Sequence, residues 1–257
     1  MLSDTCHIID CSKDNSELFR ELRNELLANG YVKVKCEKIP DGDRDKACID
    51  VIQSVGGVCC PYNDEPDALI WPVKVIELDT PTSKLQASQL DRELVFHTDC
   101  SYEHNAPNFV ALYFTQCDRT EKGGKFQMVP TKEIVGRLSK ETRKVLREET
   151  FKINVPPDFR KNNLEYICGP ILIDSDEHIR YRRDIVNKQQ LKEETLEKQK
   201  AIEELNSVIL AESELPIFQP TTENDMMVMF HNARFVHGRT KILDLERYVL
   251  RVRFNMI

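Results

Sequence analysis

The stretch VFHTDCSYEHNAP, residues 95–107, carries the first of the motifs from which the fold can be predicted. It places a histidine, an aspartate and a cysteine close together, where the pattern predicts the end of a strand. Residues two apart in a strand point to the same face. His97 and Asp99 therefore present an imidazole and a carboxylate side by side, while Thr98 faces away. The pair supplies two candidate metal ligands.

A third candidate ligand, His237, lies 138 residues beyond Asp99 (237 minus 99), in the segment HNARFVHGRT. We predict this segment to be a loop whose flanking strands bring it back to the pair. Two histidines and one carboxylate leave three positions of an octahedron open, which suits non-haem Fe(II) oxygen chemistry. Structural zinc prefers a closed tetrahedral set. A His-x-Asp pair alone is weak evidence, because such a pair is usually an accident of the surface or core.

The composition is that of a large acidic chain. At 257 residues and 40% hydrophobic content, the chain fits a single domain over residues 1–257. A net charge of -7 gives no basic field for nucleic acid or an anionic membrane, so neither is an expected partner. The N-terminus lacks the basic start and apolar run of a signal peptide, and we expect a cytoplasmic protein. The nine cysteines lack CxxC spacing and are expected to be reduced, mostly buried thiols.

Apolar periodicity and turn residues predict a mainly β chain with flanking helices. An N-terminal helix and strand cover residues 15–35, and a charged amphipathic insertion at about 187–212 is expected to be one long outer helix. Further helices are predicted at 43–54 and 139–149, and further strands at 68–78, 94–97, 108–116, 126–129, 225–230 and 247–255. Short strands wrapped by helices favour a double-sheet barrel over alternating βαβ units.

The last predicted strand contains RYVLRVRF, residues 247–254, which alternates charged and apolar side chains. Arg247, Arg251 and Arg253 share one face with Val249, and four apolar side chains share the other. If the arginine face is buried, it needs anions, because a desolvated guanidinium without a partner is very costly. The alternative is an edge strand with a solvated basic face.

The order of HTD, a Gly-Gly turn, N-x-R-x-x-H-G-R-T and a final R-x-x-x-R strand resembles the taurine dioxygenase and clavaminate synthase superfamily. These are Fe(II)/2-oxoglutarate oxygenases on a double-stranded β-helix, a jelly-roll, cupin-like core. The resemblance runs from about residue 18 to the C-terminus and is strongest to members that act on free amino acids. It implies Fe(II) held by His97, Asp99 and His237. It also implies 2-oxoglutarate and O2 as cosubstrates.

The resemblance assigns the arginines as well. Arg247 matches the arginine that grips the distal carboxylate of 2-oxoglutarate, and Arg251 matches a second arginine for the substrate's acidic group, although the two assignments could be exchanged. A planar guanidinium suits either task, because it forms two parallel hydrogen bonds to a carboxylate. Asn232 matches an asparagine that shapes a turn.

Three departures from the family pattern bear on the chemistry. The Gly-Gly turn of relatives leads to a threonine that contacts 2-oxoglutarate, whereas GGKFQ offers Phe126, so either Gln127 takes over or the contact is missing. His231 replaces the aspartate of an Asp-Asn pair, and Asn224-Asp225 replaces a common Gly-Asp; both changes look local. Asp99 is kept, which disfavours halogenation, since halogenating relatives have a small residue there.

The sequence indicates the substrate less clearly than it indicates the metal site. Residues 178–186, HIRYRRDIV, are interpreted as a strand that puts Arg182 and Asp184 on one face, which suits a zwitterionic amino acid. The alternative is a solvated charged edge. Trp71 lies in a segment resembling the wall beside the substrate, though a single tryptophan is more often in the core. Tyr102 can rim the pocket.

These observations predict an oxygenase that hydroxylates an unactivated C–H bond of a small amino acid or a derivative, releasing succinate and CO2. One alternative is an oxidative cyclase or desaturase that acts on an amino-acid-derived intermediate and uses the same residues. The other is a binding or sensor protein on the same fold, which the complete set of ligands and arginines disfavours.

Overall fold

The computed structural model describes residues 2–76, 85–173, 177–183, 191–192 and 194–257. Its helices are α1 (Ser16–Asn29), α2 (Arg44–Ser54), α3 (Thr131–Val135), α4 (Lys140–Glu148) and α5 (Leu196–Leu210). Its strands are β1 (His7–Asp10), β2 (Tyr31–Glu37), β3 (Gly57–Cys59), β4 (Ile70–Lys74), β5 (Leu94–His97), β6 (Phe109–Gln116), β7 (Phe126–Pro130), β8 (Phe151–Asn154), β9 (Tyr166–Gly169), β10 (Leu172–Ile173), β11 (His178–Ile179), β12 (Met226–His231), β13 (Phe235–Arg239) and β14 (Tyr248–Met256). Within these residues, no helix combines the length and apolar character needed to cross a membrane.

Two sheets face each other. The larger has seven strands in the order β1-β2-β12-β6-β14-β3, and β4 also pairs with β14. The smaller has the order β5-β13-β7. Two short antiparallel pairs, β8-β9 and β10-β11, lie outside these sheets.

The alternation of side chains along the strands produces two apolar layers, one on each face of the larger sheet. Along β6, Phe109, Ala111 and Tyr113 join the core under α1 and α2, whereas Val110, Leu112 and Phe114 join the core between the sheets. The smaller sheet contributes Phe126, Met128 and Phe235 to the second of these cores. A third core packs α4, α5 and the two short strand pairs around Val129 and Val236 of the smaller sheet.

The predicted mainly β architecture with flanking helices is confirmed, with α1 ending at Gly30 in the left-handed region (φ 72°) as expected. One predicted loop is wrong: HNARFVHGRT contains β13, which is hydrogen-bonded to β5 on one side and β7 on the other. Its glycine and polar residues are typical of a loop, but pairing on both sides makes it a central strand.

Two further predictions need correction. The insertion at about 187–212 is not one long helix: α5 begins at Leu196, because Thr195 is extended and its hydroxyl accepts a hydrogen bond from the Lys198 N–H. One face of α5 is buried and exposed residues lie on the rest of the helix, which is typical of an amphipathic helix on the outside of a domain. The strand expected over residues 178–186 is confined to His178–Ile179 among the described residues.

Candidate active site

Strands β5 and β13 bring the predicted metal ligands together. His97, at the end of β5, pairs directly with His237 of β13, and their ring centroids are 4.4 Å apart. The carboxylate oxygens of Asp99 lie 3.8 Å from Nε2 of His97 and 3.7 Å from Nε2 of His237. The three potential ligand atoms lie within 4.8 Å of one another, and all three residues are buried. We call this set the His–Asp–His group.

These side chains have the protonation states that metal ligands need. Burial lowers the pKa of His97, and burial together with the neighbouring His97 lowers the pKa of His237 to about 3. Burial raises the pKa of Asp99, but the charge of Arg251 leads the effects that outweigh it, and the pKa falls to about 2. At neutral pH the imidazoles are therefore neutral and the carboxylate is ionised, which are the forms that bind a cation.

The orientation of the group also fits a cation. Nδ1 of His97 lies 2.9 Å from the carbonyl oxygen of Val95. A carbonyl only accepts, so Nδ1 carries the proton and Nε2 keeps its lone pair for a metal. Oδ2 of Asp99 is buried and has no hydrogen-bond partner among the described residues. Because such an oxygen is costly to leave unsatisfied, the donor set fits an Fe(II) ion.

Asn232 holds the backbone of Asp99 at two points. Its Oδ1 accepts from the Asp99 N–H at 2.8 Å, and its Nδ2 donates to the Asp99 carbonyl at 2.7 Å. The next residue, Cys100, is left-handed (φ 55°) and turns the chain away from the group. The predicted turn-shaping role of Asn232 thus takes a specific form: it fixes the point from which the carboxylate projects.

We expect Asn232→Ala to weaken Fe(II) binding and to lower the free energy of unfolding by roughly 1–3 kcal/mol, because the Asp99 N–H and carbonyl stay buried without partners. Fe(II) titration and urea unfolding measure the two effects. Asn255→Ala is the matched control, since that side chain accepts from the Asn108 N–H at 2.9 Å and does not contact Asp99. Equal losses in both variants would contradict a specific role for Asn232.

The arginine face of the last strand is buried, so the alternative of an edge strand with a solvated basic face is wrong. Arg251 donates from Nη1 to Oδ1 of Asp99 at 2.7 Å and from Nε to the hydroxyl of Tyr62 at 3.2 Å. Arg253 donates to Sγ of Cys100 at 3.1 Å and to the carboxylate of Glu103. Arg251 is therefore part of the metal environment, and Arg253 anchors the loop that follows Asp99.

Arg247 has a different environment. Its Nε and Nη1 are buried without hydrogen-bond partners among the described residues, and burial lowers its pKa to about 10. Its guanidinium carbon lies 5.9 Å from the ring centroid of Phe114. A Cβ on Gly124 would come within 2.7 Å of the Arg247 side chain, so glycine makes room for it. A buried guanidinium of this kind fits a carboxylate ligand such as the distal end of 2-oxoglutarate.

A cavity of about 490 Å³ opens beside the His–Asp–His group, and Arg251, Arg182, Phe159 and Ser88 line it. Trp71 pairs with Arg251 across β4 and β14, donates to Ser88 Oγ at 3.4 Å and lies 4.8 Å from the Phe159 ring centroid. Tyr102 is buried and stacks on Phe159 with ring centroids 5.3 Å apart. Trp71 and Tyr102 therefore support the cavity wall through Phe159, and Arg251 and Arg182 face the cavity.

One predicted site residue, Gln127, is not brought to the group. Gln127 pairs with Gly238, so its side chain lies on the sheet face opposite to His237, and it donates to Gln219. We therefore drop Gln127 as a contact for 2-oxoglutarate. Phe126 is the residue near the ligands, with its ring centroid 6.0 Å from that of His237. Asp184 lies outside the described residues.

Sequence reasoning missed Arg239. Its guanidinium donates to the carbonyls of Leu90 and Arg92, which precede β5 and lead into the cavity wall. The signal was present, because Arg239 stands two residues after His237 in the HGRT motif. It also missed Phe159 and Tyr62, which lie far from any motif and reach the site only through tertiary packing.

The family model described as Taurine catabolism dioxygenase TauD, TfdA family matches residues 9–253. The chain belongs to this family. A comparison with curated proteins found no match. The TauD, TfdA assignment identifies the chain as a dioxygenase, and it confirms the predicted class of 2-oxoglutarate-dependent non-haem iron dioxygenases.

Solved structures show the same fold. Asparagine oxygenase in complex with Fe(II), 2S,3S-3-hydroxyasparagine and succinate is similar with a TM-score of 0.72 and 19% identity, over 94% of this chain and 79% of that one. OrfP, a non-haem iron oxygenase in complex with Fe and alpha-ketoglutaric acid, has a TM-score of 0.66 and 14% identity, over 94% of this chain and 80% of that one. OrfP in complex with Fe, succinate and (3S)-hydroxy-L-Arg has a TM-score of 0.69 and 14% identity, over 94% of this chain and 81% of that one. The predicted cupin-like, double-stranded β-helix core is confirmed.

Proposed function

We propose that this TauD, TfdA dioxygenase hydroxylates a C–H bond of a small amino acid or an amino-acid derivative. The observation that carries the proposal is a cavity of about 490 Å³ whose lining includes His97, Asp99 and Arg251 together. The similarity to asparagine oxygenase and OrfP, which were solved with hydroxylated amino acids, supports the same substrate class.

His97, Asp99 and His237 would hold the iron, and Arg247 would hold the distal carboxylate of 2-oxoglutarate. Bound iron and 2-oxoglutarate supply the oxidising power, with O2 consumed and succinate and CO2 released.

The side chains of the cavity would orient the substrate so that one of its C–H bonds points at the iron. They would also keep water and the other C–H bonds of the substrate away from the iron. Arg251 can donate from Nη2 to the substrate's carboxylate, since its Nη1 and Nε already donate to Asp99 and Tyr62. Phe159, with Trp71 packed behind it, forms an aromatic wall that limits rotation of the substrate.

The experiment is a screen of the common amino acids for stimulated succinate formation by the Fe(II)-loaded enzyme, followed by mass analysis of the product. We expect stimulation by one small group of amino acids and a product that has gained one oxygen atom. A product that has lost two hydrogens would identify a cyclase or desaturase instead. No stimulation by any amino acid would contradict the proposed substrate class.

A further inference from the structure

Tyr62, in the loop between β3 and β4, makes two hydrogen bonds to one residue of the site, Arg251. Its hydroxyl donates to the backbone carbonyl of Arg251 at 3.1 Å and accepts from Nε of the same arginine at 3.2 Å. A phenolic hydroxyl has one proton to give and a carbonyl can only accept, so the direction of both bonds is fixed. The hydroxyl therefore joins the side chain of Arg251 to its own backbone.

The ring of Tyr62 is itself held in place by its neighbours. It is buried, and its centroid lies 5.8 Å from that of Trp71 and 6.2 Å from that of Phe159. The guanidinium carbons of Arg253 and Arg251 lie 4.5 Å and 5.2 Å from the ring centroid. Attraction between the guanidiniums and the ring adds to the packing of the aromatic rings. The hydroxyl is thus set at a defined position beside Arg251.

Tyr62 and Asp99 together determine how the guanidinium of Arg251 is oriented. Nη1 donates to Oδ1 of Asp99 at 2.7 Å, so Asp99 holds one nitrogen of the group and Tyr62 holds another. A guanidinium is planar and rigid, so two fixed nitrogens also fix the direction of the third, Nη2. Asp99 alone would leave the group free to turn about a single hydrogen bond. The hydroxyl therefore sets the direction in which Arg251 binds an anion in the cavity that it lines.

We propose that Tyr62 is a positioning residue for the amino-acid substrate and acts through Arg251. This inference rests on the function proposed above and deepens it, because Arg251 is the residue assigned there to the substrate's carboxylate. Tyr62 is not among the described residues that line the cavity, so it acts without touching the substrate. With Nη2 fixed, a bound carboxylate takes one orientation and one C–H bond stays near the iron. Without the hydroxyl, the substrate takes several orientations, so succinate forms without matching product.

The alternative is that the hydroxyl only satisfies the buried carbonyl of Arg251. In that case, loss of the hydroxyl would lower the stability of the protein without changing the amount of product formed per succinate. The proposed role changes both this ratio and the KM for the amino acid, because both depend on the direction of Nη2. The ratio of product to succinate therefore separates the two roles.

The test is Tyr62→Phe, which removes the hydroxyl and keeps the ring. The Fe(II)-loaded enzyme is assayed with 2-oxoglutarate and with the common amino acid that gives the fastest succinate formation in the wild type. We expect the KM for that amino acid to rise by on the order of five- to tenfold and the product per succinate to fall, while the KM for 2-oxoglutarate stays within about twofold of the wild type. Tyr113→Phe is the matched control, since its buried hydroxyl donates to Asp225 at 3.2 Å in the core under α1 and α2. This control should behave as the wild type does.

A double-mutant cycle keeps the test independent of any loss of stability. If Tyr62 acts through Arg251, Tyr62→Phe should add no further change to the KM for the amino acid in an Arg251→Ala background. An unchanged KM and product ratio in Tyr62→Phe, equal changes in Tyr113→Phe, or additive effects in the cycle would each overturn the positioning role and leave the proposed oxygenase intact. Failure of every amino acid to stimulate succinate formation in the wild type would instead contradict the proposed function, and this inference with it.

Discussion

Replacing His237 by alanine is expected to reduce succinate formation from 2-oxoglutarate to the background rate. The imidazole is one of three buried ligands within 4.8 Å of one another, and alanine offers no donor to replace it. The fold should persist, since Nδ1 of His237 makes no hydrogen bond to the described residues that the change would break. A succinate assay with added Fe(II), together with circular dichroism, measures both outcomes.

His231→Ala is the matched control for this variant. His231 lies at the end of β12, the strand that precedes β13 in the chain, and its ring centroid is 5.3 Å from that of His178. It is not part of the His–Asp–His group. We expect this control to keep most of the activity. Full activity in His237→Ala, or an equal loss of activity in both variants, would contradict the role of His237 as a metal ligand.

Changing Arg247 or Arg251 to alanine is expected to impair the binding of different molecules. Arg247→Ala should raise the KM for 2-oxoglutarate by an amount equivalent to about 2–5 kcal/mol, as for loss of one partner of a buried charge pair. Arg251→Ala should weaken binding of the amino-acid substrate and uncouple the reaction, so that succinate forms without matching product. Titration of 2-oxoglutarate and substrate for each variant, with both products counted, separates the two roles.

Stability without ligands gives an independent measure of the same difference. The guanidinium of Arg247 is buried with two unpartnered nitrogens, so its removal should leave the unliganded protein equally or more stable. Arg251 is paired with Asp99 at 2.7 Å, and its removal should destabilise the protein by about 3–5 kcal/mol, because a buried carboxylate loses its partner. Identical changes in both KM values and in stability would refute the division of labour.

Local pattern was enough to predict much of this site. The two-residue period of a strand placed His97 beside Asp99, and the same period placed Arg247, Arg251 and Arg253 on one buried face. Both predictions needed only the direction of neighbouring side chains. The burial of that face could not be predicted, because it depends on how the two sheets pack.

Other features depend on which strands pair, and the sequence does not encode pairing locally. HNARFVHGRT has the composition of a loop, yet β5 and β7 hold its second half as a strand and set His237 opposite His97. The same pairing turned Gln127 away from the site and put Phe126 near the ligands. Asn232 could be predicted to shape a turn, but its two hydrogen bonds to Asp99 join residues 133 apart.

The assignment of the iron site can be tested by measuring the amount of Fe(II) bound per chain under anaerobic conditions. The measurement requires the wild type and a double variant, His97→Ala with His237→Ala, compared at equal protein and metal concentrations. We expect a single tightly bound Fe(II) in each wild-type chain and none in the double variant. Equal Fe(II) binding by the two proteins would contradict the assignment.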